Sequence, residues 1–127
     1  MITPSSDKKI ILVVDDEPIN ITLLAGILKE KYKVKMAKDG ERAIKIANTV
    51  PAPDLVLLDV MMSGMDGYEV CRRLKDDDAT KAIPIIFVTG LNDEKEQAKG
   101  LEMGAVGYLG KPVDAAKVLK RVEEIIG

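Results

Sequence analysis

The sequence predicts a doubly wound α/β domain, a (βα)5 sandwich whose five parallel strands carry helices on both faces. Three observations predict it. Short β-branched runs alternate with longer stretches of helical period, and the alternation repeats five times along the chain. The first run, IILVV, is apolar throughout, as befits a strand covered on both faces. The 127 residues suit one domain that buries about two-thirds of its unfolded surface in a single core.

Met1 to Lys8 is polar, with Pro4 and two serines, and reads as a disordered leader, so the domain is expected over 9–127. The predicted strands are Ile10 to Val14, Val34 to Ala37, Leu55 to Leu58, Ile85 to Thr89 and Gly107 to Leu109. Pro18 suits a first helical turn, and Leu23, Leu24, Ile27 and Leu28 predict a helix running to about Tyr32. Asp39 caps a second helix, which turns Ala43, Ile44 and Ala47 inward and ends before Pro51. A third runs from about Gly67 to Asp76, and its Cys71, beside Val70 and Leu74, reads as a small core hydrophobe. The run Asp76, Asp77, Asp78 that follows lacks the spacing of a calcium loop and reads as a solvated helix end. A fourth helix begins near Asp93 and stops at Gly104, a residue suited to a left-handed C′ position. Asp114 caps the last, which is expected to bury Ala115, Val118, Leu119, Val122, Ile125 and Ile126.

Composition narrows the chemistry. Apolar residues make up 46% and aromatics only 3%, with no Trp, so the core must be aliphatic. A net charge of −2, with Lys and Arg scattered among acids, argues against direct contact with nucleic acid. No apolar run approaches the roughly 20 residues that span a bilayer, so no membrane partner is expected. A single cysteine and no secretory signal pattern point to a reducing cytoplasm. Because the chain has no His, any reaction must run on carboxylates, hydroxyls and lysine.

In a doubly wound sheet, ligands bind beyond the carboxyl ends of the strands, where the strand order reverses. Asp15 and Asp16 follow the first predicted strand, Asp59 the third and Lys111 the fifth, while Thr89 ends the fourth. With the order 2-1-3-4-5, the reversal places Asp15 and Asp16 beside Asp59. Close carboxylates repel one another unless a cation compensates. Oxygen donors without His favour Mg²⁺, or Mn²⁺ in its place, over Zn²⁺. Mg²⁺ leaves coordination sites open to phosphate oxygens, and phosphoryl transfer is stabilised chiefly by positioned positive charge, which Lys111 would add to. Asp59 can then serve as a carboxylate nucleophile, with the Thr89 hydroxyl at hand for a phosphoryl oxygen. Taken alone, Asp15 and Asp16 could equally cap the helix that follows them.

The stretches VVDDEP (Val13 to Pro18), DLVLLDVMMSGMDG (Asp54 to Gly67), PIIFVTG (Pro84 to Gly90) and GAVGYLGKP (Gly104 to Pro112) carry a resemblance. In their order and spacing, the chain resembles the CheY-like receiver domains of two-component response regulators. The resemblance implies a flavodoxin-like fold with strand order 2-1-3-4-5, and Asp59 as the phosphoacceptor. It also implies Mg²⁺ bound by Asp16, Asp59, the Met61 backbone carbonyl and, through water, Asp15. Lys111 would pair with Asp59 and then with the phosphoryl group, on a cis bond to Pro112. Thr89 and Tyr108 would form a switch pair acting on the surface of the fourth helix, fifth strand and fifth helix. Met61 and Leu91 would tune hydrolysis of the acyl phosphate. Ser63 departs from the family's usual proline and implies a looser loop.

The implied partners are a sensor histidine kinase or a histidine phosphotransfer protein, acting in trans because this chain has no His, and a downstream output domain or target. Homodimerisation on phosphorylation belongs to the same expectation. So does the absence of enzymatic activity beyond the domain's own aspartyl phosphorylation and dephosphorylation. A haloacid dehalogenase would need an acid where Met61 stands, and a flavin carrier a Ser, Thr and Gly-rich loop where DDEPIN stands. A pseudo-receiver would not need the set Asp59, Thr89 and Lys111.

Overall fold

The computed structural model describes residues 8–91 and 93–127, so nearly all of the expected leader lies outside it. The elements run β1 (Ile10–Val14), α1 (Pro18–Leu28), β2 (Lys33–Ala37), α2 (Gly40–Ala47), β3 (Leu55–Leu58), α3 (Gly67–Asp76), β4 (Ile85–Thr89), α4 (Glu94–Glu102), β5 (Gly107–Gly110) and α5 (Ala115–Ile126). The five strands form one sheet in the order β2-β1-β3-β4-β5, and every pairing is parallel.

Strand alternation divides the core into two layers. Leu12, Val14, Val56, Leu58, Ile85 and Phe87 face α2 and α3 through Ala43, Ala47, Val70, Cys71 and Leu74. Ile11, Val13, Leu55, Leu57, Ile86 and Val88 face α1 and α5 through Ile21, Leu24, Leu28, Val118 and Val122. Both layers are aliphatic apart from a few rings, as the composition requires.

Helix ends follow local chemistry. The carboxylates of Asp39, Asp66, Asp93 and Asp114 each accept the backbone N–H three residues on, at 2.8, 2.9, 2.9 and 3.2 Å. Gly104 holds φ +101°, and the Gly104 and Ala105 N–H groups donate to the Leu101 and Gly100 carbonyls, which closes α4 as a Schellman motif.

Three expectations need correction. α1 ends at Leu28, and Tyr32 instead closes a turn by donating its N–H to the Leu28 carbonyl. Leu23 is half-exposed, because the face that meets the sheet is Ile21, Leu24 and Leu28 at i, i+3 and i+7. Ala115 is exposed in the first turn of α5, where the chain has not yet settled on the sheet. The Lys111–Pro112 bond is cis, as the resemblance implies, and so is Val50–Pro51.

Candidate functional site

The parallel register brings the carboxyl ends of β1, β3, β4 and β5 to one edge. Ladder bonds continue one residue past the strands: the Asp59 N–H donates to the Val14 carbonyl at 3.0 Å, and the Lys111 N–H to the Thr89 carbonyl at 3.0 Å. The backbone of Asp59 and of Lys111 is thereby tied to the neighbouring strand. At the start of α3, a side chain on Gly67 would stand 2.0 Å from the Asp59 carbonyl oxygen. Only glycine lets that helix abut the Asp59 backbone, and its N–H donates to the Val60 carbonyl at 2.8 Å.

Asp15 and Asp59 are buried and Asp16 is half-buried, and an oxygen from each lies within 4.8 Å of the other two. The Lys111 ammonium donates to Asp15 Oδ2 at 2.7 Å and to Asp59 Oδ2 at 3.2 Å. Asp15 Oδ1 accepts the Glu17 N–H at 2.9 Å, Asp59 Oδ1 the Met61 N–H at 3.4 Å, and Asp16 Oδ2 the Ser63 N–H at 3.1 Å. Helix capping is thus a small part of what these acids do. Glu17, at the N-cap of α1, makes no side-chain cap bond, and Asp16 turns to the loop after β3 instead.

Electrostatics mark Asp59 as the strained member. Burial pushes its carboxyl above the usual carboxylate range and Asp15 adds to this, while Lys111 and the Thr89 hydroxyl oppose it. Burial also disfavours the Lys111 ammonium, but Asp15 and Asp59 outweigh that and hold its pKa above the ordinary lysine value. Three acids against one lysine leave a net negative pocket, and its donors are all oxygen. The chain has no His, and its one cysteine, Cys71, is buried in α3 with its thiol near the Met103 carbonyl. A hard divalent cation fits such a donor set.

Thr89 and Tyr108 meet through one residue. The Leu91 N–H donates to Thr89 Oγ1 at 3.3 Å, and the Tyr108 hydroxyl donates to the Leu91 carbonyl. The Tyr108 ring is turned inward, 5.8 Å from Phe87. Beside the acids a groove of about 530 Å³ is lined by Asp16, Met61, Ser63, Tyr68, Leu91 and Lys99 among others.

Residues 11–123 match the family described as the response regulator receiver domain. The chain belongs to that family. The receiver domain is 46% identical over 116 residues to the response regulator PleD of Caulobacter vibrioides, covering 91% of this chain and 25% of PleD. It is 43% identical over 119 residues to PhoP of Bacillus subtilis, a regulator of alkaline phosphatase synthesis, covering 93% of this chain and 48% of PhoP. It thus spans about a quarter and about half of these curated relatives. The chemotaxis protein CheY4 of Vibrio cholerae superposes with a TM-score of 0.87 at 27% identity, over 94% of this chain and 99% of that one.

Receiver domains of two-component response regulators interact with histidine kinases and output domains and generally bind Mg²⁺ at an acidic cluster. A receiver by itself is in general not an enzyme. No helix among the described residues is long and apolar enough to cross a membrane.

Of the residues singled out in the sequence, Asp15, Asp16, Asp59, Thr89 and Lys111 come to one edge, while Tyr108 lies inside β5 opposite Phe87 and reaches Thr89 only through Leu91. Sequence reading missed Gly67, Gly100 and Tyr68. Gly67 was read only as a helix start. Gly100 and Tyr68 matter through packing between distant helices, which no local pattern announces.

Proposed function

We propose that Asp59 accepts a phosphoryl group from a phosphohistidine on a sensor histidine kinase or a histidine phosphotransfer protein. The observation that carries this reading is the Lys111 ammonium held between buried Asp15 and Asp59, beside the Thr89 hydroxyl. Asp59 is a buried carboxylate of the kind that serves as a nucleophile, and the negative charge that the phosphoryl group adds is met by the Lys111 ammonium and by the divalent cation the acids would hold. Asp15, Asp16, Asp59 and the Met61 backbone carbonyl would hold Mg²⁺, with Mn²⁺ able to replace it. When bound, the ion supplies positive charge against the transferring phosphoryl oxygens.

An Asp59 carboxylate oxygen forms the new P–O bond as the P–N bond to the donor imidazole breaks, and the imidazole keeps the electron pair and takes a proton. Lys111 stays protonated throughout and moves its hydrogen bond from the Asp59 carboxylate to a phosphoryl oxygen. Thr89 turns its hydroxyl to the same group and thereby loosens its hold on the Leu91 N–H. Because the Leu91 carbonyl accepts from Tyr108, the change reaches the α4-β5-α5 surface as a shifted equilibrium.

That surface is read by a downstream output domain or target, or by a second copy in a homodimer formed on phosphorylation. Met61, exposed at the groove, and half-buried Leu91 shield the acyl phosphate and slow its hydrolysis. The working unit is residues 9–127, preceded by a leader at 1–8, and it acts in the cytoplasm without contacting nucleic acid or membrane. It catalyses only its own phosphorylation and dephosphorylation.

Incubation with acetyl phosphate and Mg²⁺ is expected to add one phosphoryl group by intact mass. Asp59→Asn is expected to abolish it, as is a chelator. Label persisting on Asp59→Asn would overturn the assignment.

A further inference from the structure

α4 is joined to the domain in an unusual way. Its sequence, EKEQAKGLE, offers one large apolar side chain, Leu101, and that residue is 53% exposed. The one buried residue in the helix is Gly100, whose missing side chain lets the Phe87 and Tyr108 rings lie 3.0 Å from where a Cβ would stand. Hydrophobic burial therefore holds α4 weakly, since a glycine contributes almost no apolar area.

Tyr68 supplies what the helix lacks. It stands in the first turn of α3, nearly buried, with its ring edge 5.4 Å from Phe87. Its hydroxyl donates to Glu96 Oε1 at 3.2 Å, and the Lys99 ammonium lies 4.2 Å from its ring centroid. Glu96 and Lys99 are i and i+3 on the inner edge of α4, so both grip one ring from one helix face. The Tyr68 hydroxyl also meets that of Tyr108. Burial and then the Tyr108 hydroxyl are the leading causes that push the Tyr68 phenol upward.

We propose that Tyr68 is a positioning residue: clasped by Glu96 and Lys99, it is the fixed post that seats α4 against Tyr108 and Phe87. The proposal rests on the reading that Tyr108 links Asp59 to α4, and it adds a second anchor on the side of α3. Gly67 ties the start of α3 to the Asp59 backbone, so the post stands one residue from the phosphoacceptor's own support. α4 is thereby seated from both sides of the site. Tyr108 can change its rotamer without the helix coming free, because the clasp on Tyr68 persists.

The test is amide hydrogen exchange on the full, unphosphorylated chain, comparing α4 with α5. Tyr68→Phe keeps the ring and loses the hydroxyl with its bond to Glu96 and its contact with the Tyr108 hydroxyl, and is expected to speed exchange in α4 about tenfold while α5 is unchanged. Lys99→Ala is expected to speed it about threefold, and Lys99→Arg, which retains the cation over the ring, to restore it.

Fluorotyrosine labelling gives the second readout. Of the chain's three tyrosines, Tyr32 lies in the opposite core layer, so its resonance stays fixed while that of Tyr108 moves toward an exposed position in Tyr68→Phe. Unchanged α4 exchange, or equal acceleration of α4 and α5, would overturn the proposal. So would a Tyr108 resonance that ignores Tyr68→Phe. A wild-type chain that took no label from acetyl phosphate would instead overturn the phosphoacceptor reading and leave the exchange result standing.

Discussion

Asp15, Asp59 and Thr89 stand on or just beyond strands buried along their whole length, whereas α4 meets the sheet through Gly100 and sends most of its side chains to water. The first region is held by ladder bonds, a glycine contact and a shared lysine. The second meets the Phe87 and Tyr108 rings at Gly100 and is clasped to the Tyr68 ring by Glu96 and Lys99. α5, on the other side of β5, buries Val118 and Val122 and packs Leu119, Ile125 and Ile126 against the core. Dense packing is thus concentrated where charge must be placed to a fraction of an ångström, and sparse packing on the helix that the Tyr108 ring meets.

The largest expected effect breaks the densely packed side. Lys111→Ala leaves Asp15 and Asp59 buried with no cation between them, and is expected to cost about 3 kcal/mol of stability in metal-free protein at neutral pH. Urea unfolding in a chelator measures it. Because the folded pKa of Lys111 is raised, its contribution is fully present below the ordinary lysine value and is lost as pH rises through the folded value. The deficit is therefore expected to hold from neutral pH into the mildly alkaline range. It should shrink in acid as Asp59, whose pKa is raised, takes up a proton. A loss no larger than that of an exposed lysine would mean that the acid end is not organised around this cation.

Asp59→Asn is expected to act in the opposite direction and less strongly, stabilising metal-free protein by about 1 kcal/mol at neutral pH. Asp59 has a raised folded pKa, so its favourable share is present below the unfolded value and is lost as pH rises through the folded one. The gain from asparagine should accordingly vanish in acid. Destabilisation at neutral pH would show that Asp59 is a satisfied structural acid rather than a strained one.

How much of this was legible in the sequence differs between the same two regions. The acid end is written in short runs, because each residue sits immediately after a strand whose β-branched stretch is visible, and the parallel register does the rest. Asp59 and Lys111 are 52 residues apart, yet both are fixed by where their own strands stop. The α4 face is not written that way. EKEQAKGLE reads as a soluble helix, and only the fold reveals that Glu96 and Lys99 share Tyr68 or that Gly100 faces two rings. The misassigned Leu23 has the same origin. Four apolar residues in α1 define a stripe only once the sheet decides which side it takes, and Ile21 won that place.

Gly100→Ala is expected to have the smallest effect on stability and the most informative one on the switch. A Cβ there would stand 3.0 Å from both Phe87 Cδ2 and Tyr108 Cδ2, so one ring must give way. Phe87 is fully buried on a central strand and has nowhere to go. Tyr108 is half-buried on the edge strand and is held inward by its hydroxyl on the Leu91 carbonyl. The Tyr108 ring is the one that should move. Alanine also favours helix over glycine by about 1 kcal/mol, which offsets the lost contact and leaves the urea midpoint nearly unchanged. In the fluorotyrosine spectrum, however, the Tyr108 resonance should shift toward an exposed position while α5 keeps its exchange rates. An unmoved Tyr108 with a loosened α4 would mean that the helix, not the ring, is the softer partner. In that case the clasp on Tyr68 would be weaker than the single hydrogen bond to Leu91.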